Sequence, residues 1–296
     1  MIKEFQSEIL DIRQQAESYA DNKIKPILQA YKRVLEDIRT DIAKIYAEYS
    51  VDGVLKIGKQ QRYTILKQIE KKLIKQAKEL GHIDIGYTTK ILEDVFKESY
   101  YRTAYVIDKG METAIKFDIL KPEFIRTAVE MPVEDKMFSD RIWDNKSKLI
   151  RRVKRDVERA MTEGKSIDKL SRQIKSDFGV SAYESKRLIH TEVARCQSQA
   201  QDEIYKNSGV VEKVMWSATL DMATNEEDAK LDGKMWGIDE DHPSPPLHPN
   251  CRCSLIPVIS GWQPMSRREN IKDNSGEKKT IEYTDYNSWK KSRNIE

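Results

Sequence analysis

The sequence predicts a mainly α protein: long N-terminal helices and a helical middle, with a small C-terminal α+β module. Three observations predict it. Apolar residues recur every three or four positions through the first 205 residues, without strand-like alternation. Turn and cap signals cut that run into helix-sized pieces. After Gly209 the pattern changes to short β-branched and aromatic runs separated by acidic, Gly/Pro-rich loops. The expected segments are an N-terminal helical region (1–135), a helical middle (136–208), the α+β module (209–260) and a polar, mobile tail (261–296).

The first stripe runs from Phe5, Ile9, Ile12, Ala16 and Tyr19 through Ile24, Ile27 and Tyr31 to Ile45 and Tyr49. Pro26 lacks an amide N–H, so it marks a kink or a join between two helices. Such a length needs partners, as a bundle helix or as a coiled-coil assembly arm. Ser50 to Gly53 reads as a turn. A second helix is expected over 59–80 with Gly81 as its C-cap and His82 at its end, and a third over 87–108. Short helices fit 111–117 and 122–128.

A further amphipathic helix is expected over 138–162, ended by Gly164. Its apolar side carries Ile142, Trp143, Leu149, Val153, Val157 and Met161. Its outer side carries Lys146, Lys148, Arg151, Arg152, Lys154, Arg155 and Arg159. Ser166 caps the next helix, Ser181 caps another over 182–208, and Gly209 closes it. Strands follow at Val210–Trp216 and Cys253–Val258. In the tail, Tyr283, Tyr286 and Trp289 stand among polar residues, as in a segment that orders on a partner.

Charged residues make up 34% of the chain, yet the net charge is only +3, so any nucleic-acid contact must be a local basic face. Three cysteines do not make a disulfide framework and fit a reducing compartment. The charged opening residues lack a signal core, and no apolar run reaches membrane-spanning length, so synthesis in the cytoplasm and no membrane span are expected. Walker-type phosphate loops, dinucleotide-binding glycine fingerprints, nucleophile elbows and H-E-x-x-H motifs are absent.

The most informative stretch is Ser244-Pro245-Pro246-Leu247-His248-Pro249-Asn250-Cys251-Arg252-Cys253. Its prolines stiffen the backbone. On a strand, Cys251 and Cys253 face one way and Arg252 the other. His248 with the two thiols supplies three of the four tetrahedral ligands zinc prefers, and Asp228, Asp221 or His242 is available as the fourth. The alternative is a packed corner with buried thiols and a hydrogen-bonded histidine.

The order Trp216…Asp221…Leu231-Asp232-Gly233-Lys234…Pro246…His248…Cys251-Arg252-Cys253 resembles the C-terminal signature of phage minor head proteins, the family of the phage Mu F-like head morphogenesis protein. A second block, Phe138–Trp143, Gly164-Lys165-Ser166 and Arg187–Arg195 with Glu192, is similar to the helical part of the same proteins. The resemblance covers about 137–258. The chain departs from it at Asp228, where a histidine or cysteine is usual, and at His190, where arginine is usual.

The resemblance implies a virion protein of a tailed-phage head, associated with portal and capsid or scaffold proteins, that supports head assembly and DNA packaging or ejection. No enzyme activity is implied. Packaged double-stranded DNA would meet the face of Lys148, Arg151, Arg152, Lys154, Arg155 and Arg159, whose cations neutralise phosphates without reading sequence. That face reads equally as a solvated helix surface. Glu192 reads as an ion-pair anchor beside Arg195, and Asp221 as a loop holder. The rival class is a metal-dependent nucleic-acid hydrolase or toxin-like module at the same corner.

Overall fold

The computed structural model describes residues 2–111, 115, 117–259, 262, 264, 266–272 and 278–292. The described residues are mainly α-helical. It divides into two compact units. One comprises Met1–Ala20, Leu92–Val129 and His190–Glu296, and the other Asp21–Ile91 and Glu130–Ile189. The divisions at Ala20, Ile91 and Ile189 fall inside helices, so the units interleave along the chain.

Helices α1 (Ile2–Lys23) and α2 (Lys25–Tyr49) meet at Ile24. Pro26 sits in the first turn of α2, where a missing N–H costs nothing, so the proline marks a join. Strands β1 (Ser50–Val51) and β2 (Val54–Leu55) form a two-residue hairpin that the helical periodicity did not predict. Its turn places Asp52 at φ 52° and Gly53 at φ 74°, the left-handed pair a tight hairpin requires.

Helix α3 (Lys59–Met111) corrects the expected break at Gly81. Gly81 lies inside the helix, and a Cβ there would stand 2.3 Å from Cζ3 of Trp143. The glycine admits an indole and does not end a helix. His82, expected beside a helix end, is exposed mid-helix and meets the Trp143 ring edge-on at 5.3 Å. The short helix expected over 111–117 falls partly on 112–114 and 116, which lie outside the described residues, while Ile115 and Phe117 are not helical. Helix α4 covers Pro122–Val129.

Helix α5 (Phe138–Glu163) ends at Gly164 in the left-handed conformation, φ 68°. Helix α6 (Ile167–Asn207) then runs unbroken through Ser181, a second correction. The Ser181 hydroxyl donates to Asn145 Oδ1 at 2.8 Å rather than capping a helix. Lys146, expected on the basic outer face, is buried at 1% exposure, where its ammonium meets Asp84 at 2.5 Å. Ser185 donates to both oxygens of that carboxylate at 2.9 and 2.7 Å, and Tyr31 lies in the same cluster.

In the other unit, β3 (Val211–Ser217), α7 (Glu226–Leu231), β4 (Met235–Gly237) and β5 (Ser254–Ile259) follow α6. The sheet order is β4–β3–β5, all antiparallel, with Val214 opposite Trp236 and Trp216 opposite Leu255. Val214, Met215 and Trp216 are buried at 1% exposure or less. The polar tail is expected to be extended or mobile. Its described residues instead form a hairpin, β6 (Ser266–Lys272) with β7 (Lys278–Glu282), and α8 (Tyr286–Ser292). Tyr286 and Trp289 of α8 pack with Leu220 and Ala229.

Candidate metal-binding corner and basic face

Asn225 starts α7 by accepting the Glu227 amide at 2.9 Å, and one turn on it presents Asp228, 2% exposed. The corner approaches from the other side. Cys251 and Cys253 precede β5 rather than lying within it, and both are buried. One donor atom each from Asp228, Cys251 and Cys253 lie within 4.8 Å of one another. Cys251 Sγ is 3.8 Å from either oxygen of Asp228, and His248 Nε2 is 2.8 Å from Oδ2. Asp228, Cys251 and Cys253 are thus brought to one place, with His248 at the edge beside Asp228.

The electrostatics of the thiols are unequal. A hydrogen bond from Cys253 is the largest influence on Cys251 and brings its pKa down to about 6, against the burial that raises it. Cys253 is held above the ordinary range by the same bond and by burial. Burial lowers the His248 pKa, but bonds to the Pro249 carbonyl and Asp228 outweigh it and leave it raised.

The remaining motif residues build the frame. Arg252 turns away from the thiols and pairs with both oxygens of Asp221, one at 2.7 Å. Asp221 Oδ1 also accepts the Ala223 amide at 2.9 Å. Asp232 accepts from the Ala218 amide at 2.8 Å, the Tyr286 amide at 2.6 Å and Arg267 at 2.7 Å. Gly233, at φ 80°, donates its amide to Trp216 O at 2.9 Å. Pro246 follows Pro245 through a cis peptide bond. His242 faces Trp236 at 6.2 Å, away from the thiol cluster.

One residue had no local signal. Arg13 of α1, buried, donates to the carbonyls of Cys251, at 2.5 Å, and Cys253. It holds the backbone of the corner from outside the motif. Arg195 pairs with Glu192 at 2.7 Å and donates to the Ala128 and Val129 carbonyls at 2.9 and 3.0 Å, satisfying the end of α4.

On α5, Lys148, Arg151, Arg155 and Arg159 are exposed. Lys154 pairs with Glu70 at 2.6 Å, and Arg152 lies 3.6 Å from Glu184. A cavity of 480 Å³ brings Arg155 and Arg159 together with Lys165, Lys169 and Arg172, with Asp156 also on its wall. The last three cations were not among the expected phosphate contacts. Among the described residues, no helix is long and apolar enough to cross a membrane.

Residues 151–256 match the family model described as "Phage Mu protein F like protein". Among curated proteins, the chain is 26% identical to the minor head protein GP7 of Bacillus phage SPP1, over 95% of this chain and 97% of that protein. It is 24% identical to the NAD(+)--arginine ADP-ribosyltransferase EFV of Enterococcus faecalis, over 97% of this chain. The chain spans 60% of the length of that transferase. An uncharacterised Haemophilus influenzae protein matches 43% of the chain at 28% identity. No solved structure matches.

Proposed function

We propose that this relative of the phage Mu F-like minor head proteins is a minor structural protein of a tailed-phage head, bound at the portal or inner capsid and supporting head assembly and DNA packaging or ejection. The observation that carries the reading is the near full-length relation to a minor head protein, whose length this chain covers to 97%. Work of this kind is binding, and long helices with polar outer faces offer surfaces for portal, capsid or scaffold proteins. Co-expression with the portal protein of the same genome tests it. The chain should sediment with the portal ring, and its absence from ring and procapsid fractions would overturn the reading.

The double-stranded DNA contact is assigned to Lys148, Arg151, Arg155 and Arg159, extended by Lys165, Lys169 and Arg172 around the cavity. Arg152, Lys154, Arg155 and Lys165 contribute less, because each already faces a carboxylate. Charge reversal at Arg155, Arg159 and Lys169 should weaken retention on duplex DNA. It should also flatten the salt dependence by about one unit of slope per lost phosphate contact. Unchanged retention would place any DNA contact elsewhere.

One observation favours an enzyme: the relation to the transferase. The chain covers only part of that protein, so its named activity can reside in the remainder. Incubation with NAD and an arginine-bearing acceptor separates the two readings. Label transfer to the acceptor would favour the enzyme.

A further inference from the structure

We propose that Asp228, Cys251 and Cys253, with His248 as the fourth ligand, form a structural zinc site that locks the Pro–His–Cys corner onto α7. This goes beyond the head-protein reading and fails or holds independently of it.

The spacing is that of a coordination sphere. Zinc–sulfur and zinc–oxygen bonds of about 2.3 and 2.0 Å at a tetrahedral angle put sulfur and oxygen about 3.5 Å apart. Cys251 Sγ stands 3.8 Å from both oxygens of Asp228, so the donors need only a small contraction. His248 Nε2 reaches Asp228 at 2.8 Å but does not lie within 4.8 Å of all three other donors, so the imidazole must swing toward the sulfurs to complete the sphere.

The donor chemistry selects the metal. Two soft thiolates with one imidazole and one carboxylate in a compact cluster suit zinc, whereas calcium and magnesium take oxygen ligands. The histidine is oriented for the task. Its Nδ1 lies 3.1 Å from the Pro249 carbonyl and can keep its proton there, while Nε2, which faces the Asp228 carboxylate, gives up its own proton when it ligates the metal. The protons displaced from the thiols on binding go to solvent.

Burial makes the site structural rather than catalytic. Asp228, Cys251 and Cys253 are 2%, 3% and 1% exposed, and the partly exposed His248 lies at the rim against Asp228. A catalytic zinc keeps a position open to water or substrate. Arg13 places a guanidinium on the carbonyls of both cysteines, which offsets negative charge from two thiolates and a carboxylate on one dication. The surrounding sheet has three short strands, and a metal staple stabilises so small a unit.

The test uses the full chain, purified, reconstituted with zinc and dialysed against metal-free buffer. The expected result is one zinc per chain, with a melting temperature that falls when a chelator removes the metal. Cobalt in place of zinc should give thiolate-to-metal charge-transfer absorption and tetrahedral d–d bands. His248→Gln, at the rim, and Asp228→Asn should each weaken zinc retention and alter the cobalt spectrum, and Cys253→Ser should abolish the two-thiolate spectrum. Should a variant fail to fold, the wild-type cobalt spectrum still decides, since only thiolate ligation produces that absorption. Substoichiometric zinc in the wild-type chain with no charge-transfer band would overturn the proposal. So would His248→Gln and Asp228→Asn chains that hold the metal as tightly as wild type with unchanged spectra.

Discussion

Lys146 and Asp84 carry opposite charges where water does not reach, at 1% and 0% exposure. Their 2.5 Å contact and the two bonds from Ser185 satisfy the carboxylate. Removing one partner strands the other charge. Lys146→Met should therefore cost about 3–5 kcal/mol in denaturant unfolding, whereas the double change Lys146→Met with Asp84→Leu should cost clearly less.

A second buried pair, Asp156 and Asp177, has two like groups. Burial first, then the hydrogen bond and charge of Asp156, raise Asp177 to about 7, against Arg152 and Arg155, which lower it. The folded value lies above the ordinary 3.8, so protonation favours the folded chain. This contribution is complete below pH 3.8 and disappears as pH rises through about 7. Melting temperatures measured across that window should show a component that declines with pH, and Asp177→Asn should remove it.

At the level of elements, α3 contains two glycines with opposite expectations. Gly81→Ala places a methyl against the Trp143 ring, at 2.3 Å before any adjustment. The helix preference for alanine, about 1 kcal/mol, is outweighed by an overpacking cost of about 1–3 kcal/mol. Gly86, in the same helix, has open space around it, so Gly86→Ala should stabilise by up to about 1 kcal/mol. Thermal melts of the two variants should move in opposite directions.

These positions also show what was legible in the sequence. Periodicity located the helical runs and the β3 and β5 strands, because an apolar stripe is a local property. Gly81 and Ser181 are sound local stop signals, yet both are overridden by partners distant in sequence, Trp143 and Asn145. Lys146 falls in a cationic run and was placed with it, although its partner Asp84 lies 62 residues away. Helix α7 and strand β4 are six and three residues long, too short for a period to register. At the corner, ligand spacing drew attention to His248, Cys251 and Cys253, and Asp228 was one of three possible fourths. Arg13 was illegible because one arginine in a charged helix has no pattern to mark it.

Over the whole molecule, the segment after residue 260 changes the account most. Trp289 is fully buried beside Tyr286, Leu220 and Ala229, and Arg267 reaches Asp232 next to Gly233. The end of the chain is therefore part of the core of the α+β module. Trp289→Ala should cost about 3–5 kcal/mol, as large buried aromatics do. Hydrogen exchange should show α7 and β3 losing protection together, whereas a loss confined to α8 would show that the tail is an independent appendage.

Arg13 donates to carbonyls 238 and 240 residues downstream. During synthesis the first helix leaves the ribosome long before the carbonyls it binds have been made. Until then its guanidinium must remain hydrated or find a temporary anion, and its bonds to the corner cannot form before Cys253 has been translated. Ribosome-stalled chains ending before Cys251 should accordingly expose the region around Arg13 to protease, and chains extended past Ile259 should protect it.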